Sequence, residues 1–306
     1  MRVAFLFPGQ GSHRAGALAA WDGHPATSVL EEVEQGVGRD LRALSDDPTS
    51  GGRTADAQPA ILAASLVAWR ALVDAGVEPD VVAGHSLGEA TAAVAAGALR
   101  IRDGAELVAV RGAAMAEACA ANPGTMAAVV KLSPDAVEVL VDEDPDLVIA
   151  NDNAPGQVVL AGTPEAVARL RERAREAGGR ALPLDVEGAF HSPAMAPAVE
   201  RVAASVAALE VRDPGVPVVS GTSARALTTG ASIAAALVDG ILSPVRWREV
   251  QATLAGLGVR HLVEVGPGGV LAGLAKRTVP DLEVRTVAGP DDLQGVADLV
   301  GATTSR

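Results

Sequence analysis

The chain has 306 residues, 49% of them hydrophobic and 21% charged, and no apolar run approaches the ~20 residues that a membrane-spanning helix needs. Its 25 basic residues face 38 acidic ones for a net charge of −13, only 2% of residues are aromatic, and Tyr is absent. That charge works against nucleic-acid backbones and anionic membranes as partners, and so few rings leave almost nothing to stack on bases. A core of Ala, Val and Leu is expected, burying roughly 70–75% of the unfolded surface in one large domain or two smaller ones. The 33 glycines and 19 prolines are spread among apolar segments and form no low-complexity block. The lone Cys119 has no intramolecular disulfide partner. The apolar stretch 3–7 is too short for a signal-peptide core and runs into Pro8-Gly9, so a reducing cytoplasm is expected.

In chain order, residues 3–7 read as a buried strand ending in the loop Pro8-Gly9-Gln10-Gly11-Ser12, where glycines permit close approach of backbone to a ligand. Residues 59–75 read as a helix with Pro59 in its first turn and Gly76 past its end. A short strand at 80–83 meets a tight turn, 84–88, and a small-residue helix to 96; a second helix covers 103–120. From residue 125 the texture changes to a strand (126–131), helix (134–141), strand (147–151), strand (158–161), helix (164–177) and strand (180–186). The order β-α-β-β-α-β predicts a ferredoxin-like unit of ~65 residues inserted into the chain. Beyond His191 the helix and strand alternation resumes, with strands at 216–220 and 261–265. The outer segments, 1–124 and 193–306, would share one mostly parallel sheet with helices on both faces, and 125–192 would be the insert.

The sequence Gly84-His85-Ser86-Leu87-Gly88 fits G-x-S-x-G with an apolar strand before it and a helix after it, the context of a nucleophile elbow; a chance Gly-Ser turn is the plainer reading. A serine hydroxyl needs a base, and there are five histidines. His24 lies in a polar loop, His13 in the glycine loop, and His261 on an inner strand. His85 adjoins the serine, and consecutive side chains on a sharp turn diverge, so it suits bracing the elbow better than deprotonating Ser86. His191, in Gly188-Ala189-Phe190-His191-Ser192-Pro193, returns from the insert toward the sheet and is the best candidate base; otherwise it is a turn histidine. Arg111 falls between Leu107 and Met115 on the apolar stripe of its helix. A buried arginine needs an anion, which is either an internal acid such as Glu89 or Asp185 or the carboxylate of a substrate held bidentately. Gln10 has an amide that, with the Leu87 backbone N–H, would make an oxyanion hole, or it makes ordinary loop hydrogen bonds. No metal-ligand cluster or P-loop is present, and Gly266-Pro267-Gly268-Gly269 reads as a plain turn more than a phosphate loop.

Taken together, Pro8-Gly9-Gln10-Gly11-Ser12, Gly84-His85-Ser86-Leu87-Gly88-Glu89, Arg111-Gly112, Ala150-Asn151-Asp152-Asn153, Gly188-Ala189-Phe190-His191-Ser192, Val245-Arg246-Trp247 and Glu264-Val265-Gly266-Pro267-Gly268 resemble the malonyl-CoA:acyl-carrier-protein transacylase family nearly end to end. The resemblance implies an α/β-hydrolase-like fold and a Ser86–His191 dyad, with the imidazole oriented by a backbone carbonyl expected in 244–246. It implies Arg111 on the malonyl carboxylate, Gln10 and Leu87 at the oxyanion, and His85, Phe190 and Asn153 around the substrate. Phe190 would crowd an α-methyl group. The implied partners are malonyl-CoA and an acyl carrier protein whose phosphopantetheine accepts the acyl group, with no cofactor on this chain and a monomer expected. A serine esterase or thioesterase using the same elbow is the rival. His13 stands where relatives usually carry Gln. Carrier proteins are usually acidic, so docking would need a local basic patch, for which Lys276-Arg277 is the candidate.

Overall fold

The computed structural model describes residues 2–304. Its strands are β1 (Arg2–Phe7), β2 (Val81–Gly84), β3 (Thr125–Val130), β4 (Leu147–Ala154), β5 (Gln157–Gly162), β6 (Arg180–Pro183), β7 (Val218–Val219), β8 (Ala226–Leu227), β9 (Val259–Val265) and β10 (Glu283–Val287). Its helices are α1 (Leu30–Val37), α2 (Leu41–Asp46), α3 (Thr54–Asp74), α4 (Gly88–Ala95), α5 (Ile101–Ala121), α6 (Pro134–Asp142), α7 (Pro164–Glu176), α8 (Ala196–Ala207), α9 (Gly230–Asp239), α10 (Trp247–Gly256), α11 (Val270–Thr278) and α12 (Leu293–Thr304).

Strands covered on both faces carry apolar side chains at consecutive positions, and β1, β2, β7 and most of β9 do so. They form the middle of a sheet ordered β10-β9-β1-β2-β7-β8, parallel except for β8, which returns antiparallel beside β7. The mostly parallel sheet expected from the sequence is therefore present. The two-residue period of β1 sorts its two cores. Val3, Phe5 and Phe7 pack with Leu66 of α3 and Leu107 of α5, while Ala4 and Leu6 join Trp247, Leu254 and Leu271 of α10 and α11.

The segment from β3 to β6 makes a second sheet, ordered β4-β5-β3-β6 and antiparallel throughout, with α6 and α7 as its two connecting helices. Val137 and Leu140 of α6 and Val167 and Leu170 of α7 close one face over Ala127, Val129 and Leu160. Both helices start where the sequence indicates. Ser133 and Thr163 accept the N–H of Ala136 and Ala166, with Pro134 and Pro164 behind them. The opposite face, with Met126, Ala128 and Val159, looks onto the first sheet and walls a cleft of about 390 Å³.

Several boundaries differ from the sequence reading. Helix α3 begins at Thr54, so Pro59 lies inside it instead of in its first turn. An interior proline leaves the carbonyl four residues earlier without its helical partner. Here that carbonyl, Ala55 O, accepts from Arg39 Nη1 at 3.2 Å, and the Thr54 N–H is capped by the Glu187 carboxylate at 2.6 Å. The strand read at 180–186 ends at Pro183, and the one read at 216–220 shrinks to two residues. Strands β8 and β10 were not anticipated.

Candidate active site

The turn between β2 and α4 holds Ser86 at φ +53°, a left-handed conformation that costs a non-glycine residue ~1–3 kcal/mol. Its flanking glycines are required by close approach. A Cβ on Gly84 would stand 1.9 Å from the Gly88 carbonyl carbon, and one on Gly88 would stand 2.0 Å from Phe7 O. Helix α4 can therefore sit directly on the end of β1, with Ser86 at the mouth of the cleft. The backbone N–H groups of Leu87 and Gln10 have no hydrogen-bond acceptor among the described residues.

His191 reaches this serine from the loop after the second sheet. Its Nε2 lies 2.8 Å from Ser86 Oγ and its Nδ1 lies 3.0 Å from Ser243 O. A carbonyl oxygen only accepts, so Nδ1 carries the proton and Nε2 offers its lone pair to the serine hydroxyl. The orienting carbonyl belongs to Ser243, one residue before the stretch 244–246 expected from the sequence. Like Ser86, His191 has positive φ, +56°. Its turn is held by Ser192, whose hydroxyl donates to Ala189 O at 2.6 Å and accepts from the Ala194 N–H at 3.2 Å. Burial, then the nearby Arg111 charge, push the imidazole down to about 3 despite the Ser243 bond, which keeps it neutral.

Arg111 of α5 is 6% exposed. Its Nη2 donates to Ser86 Oγ at 3.1 Å and its Nη1 to Gln58 Oε1 at 2.7 Å. The internal salt bridge considered with Glu89 or Asp185 is not formed. Glu89 instead accepts the Gly221 N–H at 3.2 Å, and burial raises its carboxyl to about 7 against the pull of that bond and of Arg111. Desolvation lowers Arg111 to about 10, still cationic at neutral pH. A buried guanidinium beside a serine, hydrogen-bonded only to neutral groups and with Glu89 as its nearby acid, has the charge and the fork geometry to take a carboxylate.

The remaining sequence candidates divide. His85 Nε2 pairs with Asn153 Oδ1 at 2.9 Å, and its ring meets Trp247 edge-on at 5.3 Å. It therefore braces the elbow against β4 and α10. Phe190 is buried on the cleft wall, and Asn153 lines the cleft with its oxygen engaged by His85. The Gln10 carboxamide is turned away from the position expected of an oxyanion donor. Its Nε2 donates to Gly51 O and Thr54 Oγ1, both at 3.3 Å, which leaves the Gln10 backbone N–H as the available group. His24 is a helix cap, its Nδ1 accepting from Ala26 N, and is half-buried against Trp21 instead of lying free in a loop. His13 packs over Gly51 and His261 lies buried on β9. The loop 266–269 is an internal turn, because the Glu264 carboxylate takes the N–H groups of Gly269 and Ala272. One group escaped the sequence reading, Gln58, the partner of Arg111, and the orienting carbonyl was placed one residue too late.

Among the described residues, no group of three or more His, Cys, Asp or Glu side chains is arranged to hold a metal ion, and no helix is long and apolar enough to cross a membrane.

Residues 4–302 match the acyl transferase domain family. The malonyl CoA-acyl carrier protein transacylase of Bacillus subtilis strain 168 is 39% identical over 302 residues, covering 96% of this chain and 95% of the relative. The crystal structure of malonyl-CoA:acyl carrier protein transacylase from Xanthomonas oryzae superposes with a TM-score of 0.92 at 40% identity, covering 97% and 98% of the two chains. A malonyl-transacylase solved in complex with a type II PKS acyl-carrier protein also superposes with a TM-score of 0.92, at 35% identity, covering 98% of this chain and 100% of that one. The chain belongs to the malonyl-CoA:acyl-carrier-protein transacylase family of acyl transferase domains.

Proposed function

We propose that this protein transfers a malonyl group from CoA to the phosphopantetheine thiol of an acyl carrier protein through an ester on Ser86. The observation that carries this reading is the single hydroxyl shared by two groups, His191 Nε2 at 2.8 Å and Arg111 Nη2 at 3.1 Å. A base and a carboxylate receptor on one oxygen suit an acyl group that ends in a carboxylate.

In the first half-reaction Ser86 Oγ attacks the thioester carbonyl as its proton passes to His191 Nε2. The oxyanion faces the backbone N–H groups of Leu87 and Gln10. The C–S bond breaks, the imidazolium returns the proton to the CoA sulfur, and the malonyl ester remains. The carrier thiol then attacks that ester by the same steps in reverse. The Ser243 carbonyl holds the Nδ1–H through both halves. Arg111 pairs with the malonyl carboxylate, so neutral acyl groups leave a buried guanidinium without an anion. Phe190 crowds an α-substituent, a discrimination of ~1–3 kcal/mol for one methyl group. The cycle needs no prosthetic group on this chain.

The connectivity β3-α6-β4-β5-α7-β6 and the strand order β4-β5-β3-β6 support reading 125–192 as a ferredoxin-like subdomain inserted in an α/β-hydrolase-like domain made of 1–124 and 193–306. On a chain of net charge −13, exposed Lys276 and Arg277 at the end of α11 are the proposed contact for an acidic carrier. A cytoplasmic monomer completes the reading.

Intact-mass analysis after mixing with malonyl-CoA tests it. One malonyl adduct should accumulate without a thiol acceptor, and Ser86→Ala should abolish it. Steady release of free malonate with no adduct would instead make the protein a hydrolase.

A further inference from the structure

The two sheets meet at a seam, and both halves of the dyad are tied to it. Strand β4 carries Asn151 and Asn153 on its cleft face. Asp152, between them, points to the opposite side, into a separate hollow of about 290 Å³ that also contains Arg248. There Arg248 Nε donates to both carboxylate oxygens of Asp152, at 3.1 and 2.9 Å, and Nη2 donates at 2.6 Å. This fork fastens β4 to the first turn of α10.

Four further hydrogen bonds tie the fastened strand to the segments around the reacting groups. The Asp152 N–H donates to Val245 O and the Val245 N–H to Ala150 O, both at 2.8 Å, so β4 gains a short parallel partner. That partner lies two residues beyond Ser243, whose carbonyl holds His191 Nδ1 at 3.0 Å. Asn153 Oδ1 holds His85 beside the nucleophile, and Gln251 of α10 donates to Asn153 O at 3.1 Å.

We infer that the Asp152–Arg248 pair is a positioning element for the dyad, acting from outside the cleft by fixing the register of β4 against 243–245, so that the insert sets the orientation of His191. The inference rests on the acyl-transfer reading. The pair is half-open to solvent, 22% and 42% exposed, so the effect is modest, the size of a well-formed exposed pair.

The test uses Arg248→Ala, Asp152→Asn and the double variant of the full chain. Each single change should lower kcat for malonyl loading about fivefold with KM for malonyl-CoA within about twofold, because neither residue lines the cleft. The double variant should lose no more than either single one, since both break the same tie. The proton resonance of the His191 Nδ1–H, identified by its loss in His191→Gln, should move in all three. Unchanged kcat and resonance, additive losses, or a change in KM alone would each overturn the proposal. If the wild-type protein takes up no malonyl group, the functional reading fails, while the resonance still decides whether the seam controls the imidazole.

Discussion

In the proposed reaction Arg111 and Gln58 divide the work of one carboxylate receptor. The guanidinium supplies charge, and Gln58, through a 2.7 Å bond, fixes one arm of the fork so that the other reaches Ser86. A charge-assisted hydrogen bond is worth ~1.5–3 kcal/mol, and each 1.36 kcal/mol is tenfold in rate. Arg111→Ala should therefore slow malonyl loading by about 10- to 100-fold while acetyl loading, which offers no carboxylate, changes far less. Loading rates for the two thioesters on one variant decide it, and equal losses would remove the carboxylate role. The arginine was legible in the sequence because a charge on an apolar stripe contradicts its surroundings. Gln58 was not, because one neutral amide in an alanine-rich helix contradicts nothing. The orienting carbonyl was expected from the resemblance only to within a residue, at 244–246 instead of Ser243, since the backbone is the same at every position and only the fold selects which carbonyl meets the imidazole.

At the scale of the element, the strand–turn–helix around Ser86 was readable because its glycines answer a steric demand. Helix α3 was misread at its start for an equally physical reason. Proline favours the first turn of a helix, and the two groups that let α3 begin earlier, Glu187 on the Thr54 N–H and Arg39 on Ala55 O, come from distant parts of the chain. The glycine argument can be tested against a control. A methyl group on Gly88 would meet Phe7 O at 2.0 Å, whereas one on Gly273, in α11, would meet nothing within 4 Å. Gly88→Ala should destabilise the protein by ~1–3 kcal/mol through overpacking and impair acylation of Ser86. Gly273→Ala should be neutral or stabilise by ~0.5–1 kcal/mol. Thermal melting and adduct formation for the pair check this, and similar melting temperatures would refute the packing account.

At the scale of the whole molecule, the apolar runs disclosed which strands lie inside, and period and connectivity disclosed the second sheet, but the burial of histidines became apparent only in three dimensions. Burial lowers His13, His85, His191 and His261 below the ordinary value of 6.5, His191 to about 3. Each binds its proton less readily folded than unfolded, so stability falls as pH drops below about 6.5. Glu89, raised to about 7, and Glu264, also raised by burial, act in the opposite sense between their folded values and the ordinary 4.5. The two carboxyls offset much of the histidine loss in that window, so the profile there is shallow. Below about 4.5 both carboxyls are protonated in either state and their offset stops growing, while His191 continues to lose down to about pH 3. Asp144, held below the usual carboxylate range by Arg169, adds to the loss there. The melting temperature should be highest near neutrality, fall gently below pH 6.5 and fall more steeply below 4.5. His191→Gln should fall less over the same range. An unchanged slope in that variant would mean that the buried imidazole is not held neutral by the fold.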